Sequence, residues 1–399
     1  MERQLRVGVA GLGRAFTLML PTFLGDSRIQ LVAAADPRES ARGQFAADFS
    51  PRVYETVDGL CGDPEVEVVY LATPHQFHAE HTVLAAGRGK HVLVEKPMAV
   101  TLAKCRSMVA AAEKHGVHLI VGHSHSFDAP VRRAREIIES GEFGTVRMIT
   151  ALNFTDFLYR PRRPEELVTE AGGGVVFSQA AHQVDIVRLL GGGKVTSVRA
   201  SAGAWDPARP TEGAYGAHLT FDGGAFASLT YSGYAHFDSD EFCGWINEMG
   251  AKKDPRPLSD SRRRISAIAD EEQEALLKNE RNYGGPGYIP PELAGGRAAM
   301  AHQQFGMFLV SCDGADLRPL PTGVMIYDNR GEHLDSLPPP TIPRREVIDE
   351  LYDAVVLNRL PVHSGEWAMA TMEVCLAILR SSRQGTEISL EHQVELRSH

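Results

Sequence analysis

The sequence predicts an α/β chain in two parts: a doubly wound parallel sheet, then an α+β domain built on a large, mostly antiparallel sheet. Three observations carry that expectation. Apolar, β-branched runs alternate with helical segments through the first 125 residues, the pattern of a parallel sheet with helices on both faces. A glycine-rich turn, Gly11-Leu12-Gly13, stands where the first run gives way to the first helix. Beyond residue 125 the apolar residues fall on alternate positions and hairpin turns follow, as in strands with one buried face.

Runs at 5–10, 29–35, 66–72, 91–94 and 117–121 read as buried parallel strands. Segment 14–24 places Phe16, Leu20, Phe23 and Leu24 on one helical face, and Pro21 is expected to kink that helix or move its end. Segment 101–115 opens on a capping threonine and stops at Gly116. In the second part, 129–140 and 175–190 read as helices, and 146–154, 196–205 and 214–234 as strands, the last folded at Asp222-Gly223-Gly224. Residues 235–302 fit neither part and read as an insertion: a charged helical stretch at 259–278, then a Gly- and Pro-dense one at 283–296. Strands resume at 305–311 and 323–327. Helices at 344–358 and 364–383 and a short strand at 387–390 close the chain. The expected division is therefore 1–125 and 126–399, with the insertion inside the second domain.

Composition excludes several classes of function. With 399 residues, 43% of them hydrophobic and 23% charged, the chain can bury a core without disulfide or metal staples. Lys plus Arg number 41 and Asp plus Glu 51, a net charge of −10, which opposes the phosphate neutralisation that nucleic-acid binding needs. No apolar stretch approaches the ~18 residues of a spanning helix, and the run at 7–12 is too short and Gly-rich for a signal peptide. Five scattered cysteines without a C-x-x-C pair read as reduced thiols in a cytoplasmic protein with no metal site. The exposed face of an antiparallel sheet is a surface that self-association can cover, so a homodimer or homotetramer through the C-terminal sheet is expected.

Four motifs carry candidate chemistry. The first spans Gly11, Leu12, Gly13, Arg14 and Ala15, where small residues let backbone approach a pyrophosphate at a helix N-terminus. The third glycine of G-x-G-x-x-G is Phe16 here. Asp36 ends the second strand, where a carboxylate binds adenosine ribose hydroxyls and repels a 2′-phosphate. NAD is thereby favoured over NADP, with Arg38 able to soften the choice. The second motif, Thr73-Pro74 with His78, lies at the C-terminal edge of a strand, where α/β sheets bind ligands. The third, Glu95-Lys96-Pro97, puts a lysine at the next strand end, where desolvation beside a cofactor cation would suit it to proton transfer. The fourth, Gly172-Gly173-Gly174 through Ser178, His182 and Asp185, spaces three polar residues at i, i+4 and i+7 on one helical face.

In this order the motifs resemble the Gfo/Idh/MocA oxidoreductase family. The resemblance implies an N-terminal Rossmann domain, an NAD cofactor, a small-molecule substrate, Lys96 as proton-transfer residue and His182 as its partner. Ser178 departs from the family pattern, which carries Asp there; a neutral hydroxyl does not raise imidazole basicity as a carboxylate does. Finer stretches, among them Asn153-Phe154-Thr155-Asp156 and Tyr231-Ser232-Gly233-Tyr234, are similar to the 4,5-dihydro-4,5-dihydroxyphthalate dehydrogenases. That subgroup implies an anionic cis-dihydrodiol, for which Arg160, Arg162 and Arg163 form the natural carboxylate cluster. His123 and His125 are further candidate substrate contacts. A sugar, cyclitol or other polyol dehydrogenase, and a non-catalytic NAD-binding regulator, remain alternative readings.

Overall fold

The structure, a computed structural model, describes residues 3–49, 52–289 and 301–396. Its first sheet has six parallel strands: β1 (Leu5–Ala10), β2 (Ile29–Ala35), β3 (Val53–Tyr54), β4 (Val68–Leu71), β5 (His91–Val94) and β6 (Leu119–Val121). Their order is β3-β2-β1-β4-β5-β6. The order reverses between β1 and β4, so the ligand crevice of this sheet lies outside the C-terminal ends of those two strands. Every residue of β4 is buried, as expected of a strand covered on both faces. The helices α1 (Arg14–Gly25), α2 (Glu39–Asp48), α3 (Val57–Cys61), α4 (His78–Gly87) and α5 (Leu102–His115) connect the strands. Helix α1 continues through Pro21 to Gly25, so the proline does not end it. Thr101 caps α5 by accepting from the Lys104 N–H, and Gly116 closes it in the left-handed region.

The second sheet has nine strands. They are β7 (Val146–Phe154), β8 (Val195–Gly203), β9 (Ala214–Phe221), β10 (Phe226–Ser232), β11 (Met307–Cys312), β12 (Ala315–Leu320), β13 (Gly323–Asp328), β14 (Gly331–Ser336) and β15 (Ile388–Ser389). The order is β14-β13-β12-β11-β7-β10-β9-β8-β15, antiparallel throughout except between β7 and β10. Strand β14 escapes sequence reading because nearly all of it is exposed and polar, and β12 because it carries Pro319. The remaining helices are α6 (Ala129–Glu139), α7 (Ala181–Gly191), α8 (Ser259–Ser266), α9 (Glu271–Asn279), α10 (Arg345–Leu357) and α11 (Gly365–Gln384). The expected helix at 175–190 is not one regular α-helix: a π-helical turn, Val176–Ala180, precedes α7. The buried Glu212 carboxylate accepts from the Val176 N–H, and the Glu212 carbonyl from the Val175 N–H.

The chain divides into two compact units. The first comprises Met1–His123, Ala275–Arg297 and Ile342–Met369; the second comprises Ser124–Glu274, Ala298–Thr341 and Ala370–His399. Two late segments thus pack with the parallel sheet, although sequence reading assigns them to the second domain. Specific contacts hold them there. Arg28 bridges Asp26 and Asp349, the Thr22 hydroxyl donates to Pro343, and the Val121 N–H donates to His363. The side chain of Tyr283, from the expected insertion, is fully buried against Phe16, Phe45 and Phe49.

Two buried polar side chains stabilise the frame. In the first unit His78, with no exposed surface, contacts the Thr73 carbonyl through Nε2 at 2.8 Å and the Pro97 carbonyl through Nδ1 at 3.0 Å. In the second, Arg188 donates to the Gly193 carbonyl, Gln393 Oε1 and Thr371 Oγ1 at 3.1, 3.2 and 2.7 Å. Burial pushes its guanidinium down to about 10.

These contacts have measurable consequences. Burial lowers His78 to about 4, so the native imidazole stays neutral while the unfolded one takes up a proton below pH ~6.5. Stability must then fall as pH drops from about 6.5 to 4, by roughly 3 kcal/mol from this group. In urea titrations across that range His78→Asn should flatten the slope; an unchanged slope would remove His78 as its source. Arg188→Ala strips a buried charge from its partners and should cost about 3–5 kcal/mol, read as a lower urea midpoint.

Candidate active site

At the C-terminal edge of the parallel sheet, Gly11 turns the chain with φ +91°. A Cβ there would lie 2.7 Å from the Ala72 carbonyl oxygen, so only glycine fits. Gly13 caps α1 without a side chain, and a Cβ there would meet nothing within 4 Å. The first N–H groups of α1, from Arg14 and Ala15 onward, therefore stand beside open space, a cradle that fits a dinucleotide pyrophosphate. Desolvation, then repulsion from Arg281 and Arg344, lowers the pKa of Arg14. That clustering of positive charge suits an anion at this end of the helix.

Asp36 ends β2, and its carboxylate is heavily used. Oδ2 accepts from the Leu12 N–H at 2.8 Å and from Arg38 Nη2 at 3.1 Å; Oδ1 accepts from the Arg38 N–H at 2.9 Å and Nε at 3.0 Å. Arg38 also donates to the Leu12 carbonyl at 2.7 Å. Sequence reading set Asp36 and Arg38 as opposed influences on the cofactor's ribose; the structure joins them in one ion pair.

Thr73 and Pro74 follow β4, and Thr73 Oγ1 lies 3.0 Å from His81 Nδ1. Glu95, Lys96 and Pro97 follow β5. The Tyr70 hydroxyl donates to Glu95 at 2.7 Å. Burial raises the Glu95 pKa, opposed by that hydrogen bond and by the charges of Arg344 and Lys96. Lys96 itself is partly exposed at the strand end. His78 lies between the carbonyls of Thr73 and Pro97; neutral, with one N–H, it joins these two loops by one hydrogen bond and by packing. His123, buried, ends the first unit.

In the second unit a cluster forms around His125. Its Nδ1 lies 2.7 Å from Asp128 and its Nε2 3.5 Å from Glu248. Burial opposes a charge on His125, but the two carboxylates outweigh it and raise its pKa. The His125 and His182 rings meet edge to face at 4.8 Å, and Phe305 packs on both, at 5.1 and 4.9 Å. His125, His182 and Glu248 present their polar atoms within 4.8 Å of one another. One turn beyond His182, Asp185 is buried and accepts from the hydroxyls of Ser126 and Thr371, so its carboxylate serves packing between elements. Ser178 lies in the π-helical turn and is partly exposed.

A cavity of about 350 Å³ in this unit is lined by Asn153, Thr155, Arg160, Glu248, Lys253 and Gln304, among others, a size within the ~300–1,000 Å³ of small-molecule sites. The three arginines of the expected cluster go to different places. Arg160 lines the cavity, paired with Asp156 at 2.8 Å and with Glu248 at 3.5 Å. Arg162 lies over the Phe157 ring at 3.7 Å and donates to the Phe157 carbonyl; burial pushes it down to about 10. Arg163 pairs with Glu165 and Glu166. Sequence reasoning did not single out Glu248, Phe305 or Gln304, which belong to no motif. Asp128, three residues after His125, is the one partner that spacing alone makes visible.

Comparison with known proteins identifies the family. Residues 5–123 match a family model described as an oxidoreductase family with an NAD-binding Rossmann fold, and residues 131–245 match the GFO/IDH/MocA C-terminal domain. The chain is 52% identical, over 95% of its own length and 95% of the relative's, to 1-carboxy-3-chloro-3,4-dihydroxycyclohexa-1,5-diene dehydrogenase of Comamonas testosteroni. A solved structure from Bordetella bronchiseptica RB50 superposes with TM-score 0.90 at 39% identity, covering 97% of this chain and all of that one. The WlbA dehydrogenase of Bordetella pertussis, solved with NADH and UDP-GlcNAcA, shares the fold at TM-score 0.67 and 20% identity, over 98% of this chain and 99% of that one. With a Rossmann unit whose glycine turn fits a dinucleotide and a mostly antiparallel second sheet, the chain belongs to the GFO/IDH/MocA oxidoreductase family.

Proposed function

We propose that this protein is an NAD-dependent dehydrogenase of a carboxylated cyclic cis-dihydrodiol. The observation that carries the reading is the cavity of the second unit, which Arg160 and Lys253 line together with Asn153, Thr155 and Gln304 and with the carboxylates of Asp156, Asp238, Asp240 and Glu248. A guanidinium binds a carboxylate through two parallel hydrogen bonds, and the polar side chains suit vicinal hydroxyls. The 52% identity to a relative whose name describes a carboxylated dihydroxycyclohexadiene supports the same substrate class. Of the three arginines Arg160 alone lines the cavity, so it is the carboxylate anchor, and the substrate carboxylate must compete there with Asp156 and Glu248. One anchor suits a monocarboxylate better than the dicarboxylate of phthalate dihydrodiol.

NAD⁺, when bound, supplies the hydride acceptor, and Gly11, Leu12, Gly13, Arg14, Ala15, Asp36, Arg38, Thr73 and Pro74 hold it. As the family resemblance implies, Lys96, with acid–base help from His182, accepts the hydroxyl proton as the carbinol C–H electron pair departs. The ketone formed tautomerises to a catechol, and aromatisation draws the reaction forward. The ring of His182 packs against His125 and Phe305. The five cysteines form no disulfide, in keeping with the proposed cytoplasmic setting.

The experiment is NADH absorbance growth with mono- and dicarboxylated cis-dihydrodiols beside inositol and simple sugars. Turnover confined to a sugar or cyclitol would replace the substrate class; tight NAD⁺ binding with no turnover of any alcohol would make the protein a sensor. Lys96→Met should abolish turnover while leaving the NAD⁺ dissociation constant within about twofold. Arg160→Leu should raise KM for a carboxylated diol by roughly 10- to 100-fold, the range of a charge-assisted pair. The same variant should leave the uncharged benzene dihydrodiol unaffected, and an equal loss on both substrates would remove Arg160 as the carboxylate anchor.

A further inference from the structure

The expected insertion contains a compact knot between Asn279 and Tyr288 that belongs to the cofactor-binding unit. It is held by its own backbone hydrogen bonds, Asn282 to Asn279, Gly285 to Asn282, Gly287 to Glu280 and Tyr288 to Gly285. Its glycines are packed tightly: a Cβ on Gly284, whose φ is +67°, would lie 3.0 Å from the Ala41 Cα, at the start of α2. The knot's anchor is Tyr283, which has no exposed surface. The ring meets Phe16 edge-on at 5.1 Å and stacks near Phe49 at 6.5 Å, and its hydroxyl donates to Asp48. Phe16 is the residue that replaces the third glycine of the dinucleotide motif, so that departure builds the socket for Tyr283.

The knot reaches the ribose-reading residues directly. The Tyr283 carbonyl lies 3.5 Å from Arg38 Nη1, while the other guanidinium nitrogens hold Asp36 and the Leu12 carbonyl. A carboxylate offers about four acceptor positions. Arg38 and the Leu12 N–H already supply four donors to Asp36. A ribose hydroxyl that donates to Asp36 must therefore share an acceptor position with one of these donors, and it would meet an oriented Arg38–Asp36 pair, not a bare carboxylate. A guanidinium free to swing from Asp36 would be a ready partner for a 2′-phosphate.

We infer that the 279–288 knot is a clasp that sets coenzyme choice: Tyr283, seated on Phe16, keeps Arg38 laid across Asp36, so that the pair accepts the ribose of NAD and leaves no free guanidinium for a 2′-phosphate. Tyr283 is thus a positioning residue, acting through Arg38. The inference is independent of the substrate assigned above, because it concerns the cofactor half alone.

The test is calorimetric titration of the full-length protein with NAD⁺ and NADP⁺, with the ratio of the two dissociation constants as readout. Tyr283→Ala should release Arg38 and reduce the preference for NAD⁺ roughly tenfold, the scale of one charge-assisted hydrogen bond. Arg38→Met should move the ratio the other way, since Asp36 then meets the phosphate uncompensated. Tyr283→Phe keeps the ring in its socket and should restore the ratio. A merely structural role would lower the melting temperature and weaken both coenzymes alike. A folded Tyr283→Ala protein with an unchanged ratio overturns the inference. Should that variant not fold, an Arg38→Met ratio that is unchanged or moves toward NADP⁺ overturns it equally.

Discussion

His78 lies wholly buried between the loop that leaves β4 and the loop that leaves β5, its ring nitrogens 2.8 and 3.0 Å from a carbonyl of each. Two adjacent parallel strands deliver their C-terminal loops to one edge, but nothing in the strand ladder holds those loops together once the pairing stops. The imidazole fills the gap between them: burial keeps it neutral, so its single N–H donates to one of the two carbonyls and its ring packs against the other loop. Thr73 and Pro74 on one side and Lys96 and Pro97 on the other are thereby held by one side chain. The glycine turn then completes the edge, because Gly11 packs directly on the Ala72 carbonyl at the foot of the Thr73 loop. A small set of close contacts thus supports the C-terminal edge of the parallel sheet, where the cofactor is proposed to bind.

The second unit solves a different problem. It buries several charges in a protein whose net charge is already −10, and a buried charge is tolerated only when paired. His125 sits between Asp128 and Glu248, Glu248 in turn meets Arg160, and Arg160 meets Asp156. The chain of alternating signs lets a cationic group persist beside a cavity without an isolated charge. Within this arrangement the π-helical turn ahead of α7 matters, because it brings the Gly-rich entry onto the Glu212 carboxylate before the regular helix carrying His182 begins. Irregular turns of this type are frequent at functional sites.

Much of this was legible residue by residue. The strand ends that carry Asp36, Thr73 and Glu95 follow from apolar runs of the right length and from the edge at which parallel sheets bind ligands. What sequence spacing could not resolve was the fate of each arginine in the 160–163 stretch. Three guanidiniums in four residues look like one anion site. Yet one faces a cavity, one covers an aromatic ring and one pairs with its own turn's glutamates, because neighbouring residues in an irregular segment point in unrelated directions. The segment around Tyr283 was likewise unreadable. Gly- and Pro-rich composition signals a turn, but not the aromatic socket, assembled from Phe16, Phe45 and Phe49, into which that turn inserts.

The sequence by itself determined the two-part α/β architecture, the dinucleotide turn and the position of the lysine at a strand edge, because each depends on local periodicity or on a backbone conformation that one residue type satisfies. Tertiary structure alone decided that residues 342–369 and the Tyr283 knot return to the first unit, that Arg38 is spent on Asp36, and that Glu248 and Phe305 flank His125. Those outcomes depend on contacts between residues far apart in the chain, where burial forces each polar group to find a partner and no local pattern records which partner it finds.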